Sequence, residues 1–210
     1  MFSFFKKSKI NRIDDKIWFT NDYKINALIK ESQSLAAQNE IAVIVAFFRQ
    51  TLQDFETRLS SSAIAYRLLS HPYDFSAAPA VINITRASTL TETSLVEQLF
   101  KNNTAVNLLF LEHYPLYATE DTVLKRIEEQ TPSATNVCFY SSLDDEILKS
   151  FGGERLKEII QKLGMQESET ISHVMITKAI TNAQKKIQQS LQNEMPTESQ
   201  QQWFTYNYKQ

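Results

Sequence analysis

The stretch Ile41-Ala-Val-Ile-Val-Ala-Phe-Phe48 is a continuous apolar run rich in β-branched side chains. Strands that are covered by helices on both faces have this length and composition, whereas strands of a half-exposed sheet alternate apolar and polar residues. The run therefore predicts a central strand of a parallel sheet.

Strand and helix patterns alternate outward from this run. Three more strands are predicted at 79–85, 105–112 and 136–141, and helical periodicity marks 22–38, 51–66, 93–101 and 118–130. Asn21 or Asp22 is the expected N-cap of the first helix, and Thr51 that of the second, which His71-Pro72 breaks. The alternation predicts an α/β fold, RecA-like or Rossmann-like, with a parallel sheet sandwiched by helices.

Three more helical segments follow the last predicted strand, at 143–150, 154–163 and 172–191, and predict a C-terminal helical extension. We divide the chain into an N-terminal extension at 1–20, one main domain at 21–170, and a C-terminal helix with an aromatic tail at 171–210. A chain of 210 residues with 42% hydrophobic residues is long enough for one well-buried core.

Charge and glycine content exclude several kinds of function. The net charge of −2 comes from 22 basic and 24 acidic residues mixed along the chain, so nucleic acid is not an expected partner. The 3 glycines are Gly152, Gly153 and Gly164. P-loops and dinucleotide-binding turns need glycines for close backbone approach to phosphates. We therefore expect no nucleotide hydrolysis, no cofactor and no enzymatic activity.

The remaining reactive side chains offer no catalytic or metal-binding pattern. Cys138 lies in an apolar run and is expected to be a buried thiol, and the three histidines are scattered without metal-ligand spacing. Asp144, Asp145 and Glu146 form an acidic cluster that suits general acid catalysis. Their position directly after Ser141-Ser142 favours instead an N-cap and first-turn acids that interact with a helix dipole.

Aromatic residues occur close to both ends of the sequence, outside the predicted strands and helices. No apolar stretch is long enough to span a membrane and the first residues are too short for a signal peptide, so we expect a cytoplasmic protein. The start combines Phe2, Phe4 and Phe5 with Lys6 and Lys7, which fits either peripheral contact with an anionic membrane or a frayed terminus. The tail residues Trp203 and Phe204 are expected to dock either on the chain's own domain or on a partner.

One block of the sequence resembles a known family. The stretch Phe139-Tyr-Ser-Ser-Leu-Asp-Asp-Glu-Ile-Leu-Lys-Ser-Phe-Gly-Gly-Glu-Arg-Leu-Lys-Glu-Ile-Ile-Gln-Lys-Leu-Gly-Met165 is similar to the end of the second nucleotide-binding lobe of the SecA preprotein translocase ATPases. The similarity continues through 169–173 and 175–187, which resemble the start of that family's helical scaffold. Upstream, 23–29, 41–48 and Glu112 match the lobe in pattern. The resemblance implies a RecA-like fold.

The sequence departs from the SecA pattern at the phosphate-handling motifs. The family carries a Gly-Arg-Gly-Thr-Asp loop after its second strand, whereas this chain reads Arg86-Ala-Ser-Thr-Leu-Thr-Glu92. Where the family places paired arginines among glycines, this chain has Lys125 and Arg126 followed by Glu128 and Glu129. No part of it resembles the first lobe with its P-loop. The comparison implies a lobe that no longer stabilises a transferring phosphoryl group.

Three functional hypotheses remain open. The first is a non-catalytic interaction or scaffold module that binds SecA, another secretion component or a precursor protein. The second is a lobe that completes a partner ATPase site in trans with Arg86 or Arg126 as a finger, and the third is an enzyme with an unrelated site on this sheet. For the first hypothesis, the expected partner-binding residues are Lys162, Lys178, Asn182, Lys185, Trp203 and Phe204.

Overall fold

The computed structural model describes residues 8–71, 74, 81–91, 99, 106–131, 135–162 and 164–208, apart from the side chains of 154, 155, 159 and 160. Within this part the chain forms a mostly parallel sheet with helices on both faces. Its strands are β1 (Ile10–Arg12), β2 (Lys16–Trp18), β3 (Ile41–Ala46), β4 (Tyr66–Leu68), β5 (Ile82–Arg86), β6 (Val106–Phe110), β7 (Thr135–Ser142) and β8 (Ile171–Ser172).

The strand order across the sheet is β4-β5-β3-β6-β7-β2-β8, and β1 also pairs with β7. Every pairing is parallel except the one between β2 and β8. The apolar run that begins at Ile41 lies in the middle, between β5 and β6, and all six residues of β3 are buried. The α/β, RecA-like class expected from the sequence is confirmed.

Helices cover the sheet on both faces because the strands expose apolar side chains alternately to each side. The core cluster on one face contains Ile44 and Ile84, and the cluster on the other face contains Val43 and Val45. The helices are α1 (Asn21–Ala37), α2 (Arg49–Ser61), α3 (Ala87–Leu90), α4 (Tyr117–Gln130), α5 (Glu146–Lys149), α6 (Gly153–Lys162), α7 (Val174–Ser190) and α8 (Gln200–Asn207). Helices α1 and α2 contribute to the first cluster, and α4, α5, α7 and α8 to the second.

Several predicted helix boundaries are wrong. The second helix ends at Ser61 instead of continuing to Tyr66, because Ala63 adopts a positive φ of 52° and the Ile64 N–H donates back to the Leu59 carbonyl. Tyr66 then begins the edge strand β4. The N-cap of the first helix is Thr20, and Thr51 lies inside α2, whose first residue is Arg49. The helix predicted at 93–101 falls almost entirely outside the described residues.

The N-terminal strands were not predicted from the sequence. Residues 10–18, which the sequence assigned to an N-terminal extension, form β1 and β2 along β7, with Ile10 opposite Thr135 and Lys16 opposite Tyr140. Strands of three residues carry too little periodicity to be recognised, so their burial against β7 is the deciding factor. Phe2, Phe4, Phe5, Lys6 and Lys7 lie outside the described residues.

A row of asparagine side chains crosses the sheet perpendicular to the strands. Asn11 Nδ2 donates to Asn136 Oδ1 at 2.8 Å, and Asn136 Nδ2 donates to Asn107 Oδ1 at 2.9 Å. Asn107 Nδ2 in turn donates to Glu40 Oε2 at 2.7 Å. A slip of one residue would turn these amides to the opposite face and leave them unpaired, so the row fixes the register of β1, β7 and β6.

The C-terminal segment packs onto the same core as the strands. Trp203 is fully buried, its Nε1 donates to Glu194 Oε1 at 2.6 Å, and its ring contacts those of Tyr114 and Phe204. Phe204 is also buried, with 8% of its surface exposed. Of the two docking places that the sequence left open for these aromatic residues, they occupy the one on the chain's own domain, and their partner-binding role stays a prediction. They dock on the chain's own domain because burial there removes two large apolar surfaces from water.

Truncation of the tail tryptophan tests this packing. Trp203→Ala removes a fully buried side chain, and we expect the free energy of unfolding to fall by about 3–5 kcal/mol. Tyr206→Ala, which changes an exposed ring on the same helix, is the matched control and should change it by less than ~0.5 kcal/mol. Urea unfolding of both variants measures the difference, and equal values would contradict the docked tail.

Candidate functional site

The turn between β3 and α2 lies at the carboxyl end of the central strands, where α/β folds bind their ligands. In this chain a side chain fills that position. Glu112 Oε1 accepts hydrogen bonds from the backbone N–H groups of Phe47 at 3.2 Å and Phe48 at 3.1 Å. Glu112 Oε2 accepts from Thr51 Oγ1 at 2.8 Å. The two backbone N–H groups directly before the N-terminus of α2 are thus already bound by a carboxyl group of the chain itself.

The C-terminal segment covers the next residues of the same helix N-terminus. The Gln50 N–H donates to the Glu198 carbonyl at 2.9 Å, and Arg49 Nε lies 2.6 Å from Glu198 Oε2. Burial raises the pKa of Glu112 to about 7, although the Phe48 N–H and the Thr51 hydroxyl favour its charged form. Glu112 and Glu198 of the chain itself therefore bind the groups of the β3–α2 turn.

The two finger candidates share one groove beside this turn. Arg86 at the end of β5 and Arg126 on α4 both line a groove of about 700 Å³ together with Tyr114 and several hydroxyl side chains. Within the described residues neither arginine forms an ion pair, and the buried Nε of Arg86 has no hydrogen-bond partner. The fold thus brings together two positive side chains that are 40 residues apart in sequence.

A buried ionic network lies behind the groove. His113 Nδ1 is 3.0 Å from Glu120 Oε2, and His113 Nε2 is 3.2 Å from Asp15 Oδ2. Asp15 also contacts the guanidinium of Arg12, and Glu120 accepts from Gln184 Nε2 at 2.8 Å. His113, Asp15 and Glu120 are all buried. The network joins the β1–β2 loop, the residues after β6, α4 and α7.

The two carboxylates determine the charge of the histidine. Burial opposes the charged imidazolium, but the carboxylates of Glu120 and Asp15 outweigh it and raise the pKa of His113 to about 9. Burial also opposes the charged form of Asp15, yet His113 and Arg12 hold its pKa below the usual value. At neutral pH the histidine is therefore protonated, and its ring stacks on Phe139 with a centroid distance of 4.5 Å.

The acidic cluster at the start of α5 is structural. Asp145 Oδ1 lies 2.9 Å from Lys24 Nζ in a buried ion pair, and Asp144 Oδ1 lies 2.8 Å from Lys157 Nζ. Asp145 is the N-cap residue as the sequence indicated, but its side chain bonds Lys24 and Ser142 rather than the first turn of the helix. These carboxylates are held by cations, so the arrangement fits helix and loop packing.

The other predicted residues lie on a separate, exposed surface. Lys162 ends α6, and Lys178, Asn182 and Lys185 are exposed on α7, where Lys185 Nζ lies 4.5 Å from the ring centroid of Tyr117. Cys138 is buried as expected, and burial raises the pKa of its thiol to about 12. Across the described residues no group of three His, Cys, Asp or Glu side chains is placed to hold a metal. None of the described helices has the length and apolar content to cross a bilayer.

Sequence reasoning missed the histidine network and the role of Glu112 as an internal ligand. Asp15, His113 and Glu120 carry no spacing motif, since Asp15 lies about a hundred residues before the other two. The available signal was the position of Glu112 and His113 just after the largely apolar strand β6, because polar residues at the ends of neighbouring strands are brought together.

Comparison with known proteins identifies relatives over most of the chain. The protein translocase subunit SecA of Cellvibrio japonicus is 25% identical over 221 aligned positions, covering 85% of this chain and 24% of that protein. SecA of Chloroherpeton thalassium is 26% identical over 185 residues, with 84% and 18% covered. This chain thus spans about a quarter or less of the length of the relatives it matches. The resemblance to part of SecA that the sequence indicated is confirmed.

A second kind of match is short and dense. SecA of Geobacter sp. (strain M21) is 54% identical over 50 residues, which are 24% of this chain and 5% of that protein. No protein family model matches. Among solved structures, the C-terminal part of the Fun30 ATPase domain superposes with a TM-score of 0.41 at 15% identity, covering 79% of this chain and 54% of that one.

The buried histidine predicts a pH-dependent stability. Because the pKa of His113 is raised from its ordinary value near 6.5 to about 9 in the folded chain, its contribution is complete below pH 6.5 and is lost as the pH rises through 9. We expect the free energy of unfolding of the wild type to fall by up to about 3 kcal/mol over this window. Urea unfolding at steps from pH 6 to pH 10 measures it.

Two variants isolate the effect. His113→Gln should be less stable at pH 7 and should lose the part of the decline that falls between pH 6.5 and 9, since a neutral amide does not titrate there. The decline above pH 9 that comes from the buried Cys138 thiol should remain. His71→Gln, which changes an exposed histidine, should follow the wild-type curve. Parallel curves for the wild type and His113→Gln would contradict a protonated His113.

Proposed function

We propose that this chain, which resembles part of the second nucleotide-binding lobe of SecA, is a non-catalytic interaction or scaffold module linked to protein secretion. The observation that carries the proposal is the sequence Arg86-Ala-Ser-Thr-Leu-Thr-Glu92, which lacks both glycines and the aspartate of the loop that the SecA family has after its second strand. In addition, Glu112 accepts hydrogen bonds from the Phe47 and Phe48 N–H groups at the turn between β3 and α2. An anion at this turn would lack the N–H donors that phosphates need, and the ionised form of Glu112 would also repel it.

The composition of the turn supports the same conclusion. Residues 46–51 contain no glycine, so the backbone cannot close around a phosphate there, and Glu198 of the C-terminal segment already bonds Gln50 and Arg49. The cations Lys24 and Lys157 nearby are neutralised by Asp145 and Asp144. The chain therefore keeps the sheet and helices of a motor lobe without the groups that would handle a nucleotide.

The proposed partner is inferred from the relatives of the chain. The matched proteins are protein translocase subunits, so the partner is a protein of secretion: SecA itself, another secretion component or a precursor protein. We place the module in the cytoplasm, with peripheral membrane contact through Phe2, Phe4, Phe5, Lys6 and Lys7 as an accessory site.

Nucleotide binding gives the direct test. A site whose ligand is present at 100 times its Kd would stabilise the fold by about 2.7 kcal/mol, which shifts Tm by several degrees. We expect no shift with millimolar ATP or ADP and magnesium, and no phosphate release above a protein-free blank. A full SecA measured in parallel is the positive control. A magnesium-dependent shift or steady hydrolysis by the purified chain would overturn the proposal.

A second candidate function is favoured by the shared groove. Arg86 and Arg126 both face a groove of about 700 Å³, and neither is neutralised by an ion pair within the described residues. Two guanidinium groups that form no ion pair with the described part of the chain, beside the carboxyl end of a sheet, suit the stabilisation of a phosphoryl group bound to another protein. In this function the chain completes a partner ATPase site in trans.

Arginine variants separate the two candidates. If the chain supplies an arginine finger, its addition changes the ATPase rate of SecA. Arg86→Ala and Arg126→Ala should then each make this change in rate at least ~10-fold smaller, because arginine fingers accelerate phosphoryl transfer by ~10³–10⁵. Lys125→Ala is the matched control, because Lys125 lies next to Arg126 on α4 and pairs with Asp121. An effect on the rate that survives both arginine variants, or no effect of the wild type, rules out the finger.

A further inference from the structure

An apolar groove lies between α7 and the pair formed by α5 and α6. Its volume is about 530 Å³. Its floor contains the buried Ile17, Ile147 and Ile180. One wall is formed by α7 and the other by α5, α6 and the turn between them. The lining side chains on the walls are Leu148, Phe151, Leu156, Met175, Ile176, Ala179 and Ala183.

The walls of this groove hold large apolar side chains that the described part of the chain leaves exposed. Met175 is 66% exposed and Phe151 is 42% exposed, and Val174 beside them is 44% exposed. Single exposed apolar residues are normal on a protein surface, but a contiguous apolar groove marks an interaction site. Phe151 and Met175 belong to the segments in which the sequence resembles SecA.

A row of polar side chains runs beside the apolar row on α7. Met175, Ala179 and Ala183 recur every four residues along one face, and Lys178, Asn182 and Lys186 form the neighbouring row at the same spacing. Helix α7 contains no acidic residue. Within the described residues neither Lys178 nor Lys186 forms an ion pair, so the α7 side of the groove carries positive charge.

We infer that this groove docks an amphipathic helix of a partner protein, with the apolar face of that helix in the groove and its acidic residues along Lys178 and Lys186. The inference deepens the proposed function and rests on it. A groove between two helices accepts a third helix through apolar side chains spaced by three and four residues. The row from Met175 to Ala183 spans about 12 Å, which matches two turns of such a helix.

Charge and shape argue against two other occupants. A second copy of the chain would bring its own lysine row against the same row in a two-fold interface, and like charges in contact oppose association. A flat lipid surface would meet the exposed Met175 and Val174 but would not reach the buried floor at Ile17 and Ile147. A narrow helix with acidic flanks satisfies both the concave shape and the positive charge on the α7 side.

Fluorescence anisotropy with designed peptides tests the inference. The probe is a labelled helical peptide of about five turns with leucines at i, i+3, i+4 and i+7 and glutamates on both flanks. A second peptide has lysines in place of the glutamates. We expect the wild type to bind the acidic peptide at least ~10-fold more tightly than the basic one, since each opposite-charge contact at a rim favours one partner over the other.

Matched variants locate the binding. Met175→Glu should weaken binding of the acidic peptide at least ~10-fold, because it places a carboxylate in the apolar groove. Met195→Glu makes the same change at another exposed methionine and should leave binding unchanged. Lys178→Glu combined with Lys186→Glu should reverse the preference between the two peptides. Circular dichroism of each variant verifies that the fold is retained.

Four outcomes overturn the inference: no binding of either peptide, equal binding of both, equal weakening by Met195→Glu, or Met175-dependent binding to phosphatidylglycerol vesicles or to a second copy instead of the peptide. The proposed function has its own readout. If purified SecA or a precursor binds the wild type and Met175→Glu equally, the groove inference fails and the proposed function stands. If the chain hydrolyses ATP, the proposed function fails whatever the peptides do.

Discussion

The protonated His113 between Asp15 and Glu120 is the interaction on which the assembly of this lobe depends. The three side chains come from three separate segments. Arg12, three residues before Asp15, and Gln184 on α7 complete the set, so four segments meet. An unpaired charge in this position would be strongly destabilising, so each segment must be in place for the others to be satisfied. The sheet edge at β1 and β2, the loop after β6 and the helices α4 and α7 are therefore coupled by charge as well as by apolar packing.

Apolar patterning predicted the four long strands and most helices, because each of them is recognisable from neighbouring residues alone. It did not predict β1, β2, β4 or β8, which have only two or three residues and form because a longer strand or a buried surface holds them. The asparagine row from Asn11 to Asn107 was equally invisible. Its members are 29 and 125 residues apart in sequence, and only the register of the sheet makes them neighbours.

The candidate site was likewise predictable from the sequence only in part. The absence of glycine at the β3–α2 turn was readable, and so was the presence of Arg86 and Arg126 near strand and helix ends. That both arginines line one groove, and that Glu112 engages the Phe47 and Phe48 N–H groups, depends on the three-dimensional arrangement. Residue type alone did not predict where the C-terminal segment binds. Trp203 is a large aromatic residue that could pack on a partner or on its own domain, and the structure shows it buried in its own domain.

The pairing of β1 with β7 has a consequence for the order in which the chain folds during synthesis. Thr135, the partner of Ile10, leaves the ribosome 125 residues after it, and Gln200, which donates to the His113 carbonyl, follows His113 by 87 residues. Long-range pairings of this kind delay folding, and segments that wait for a partner are open to other contacts. The central strands β3, β5 and β6 can pair before β7 has been made, whereas β1 and β2 must wait for β7, and the carbonyl of His113 must wait for Gln200.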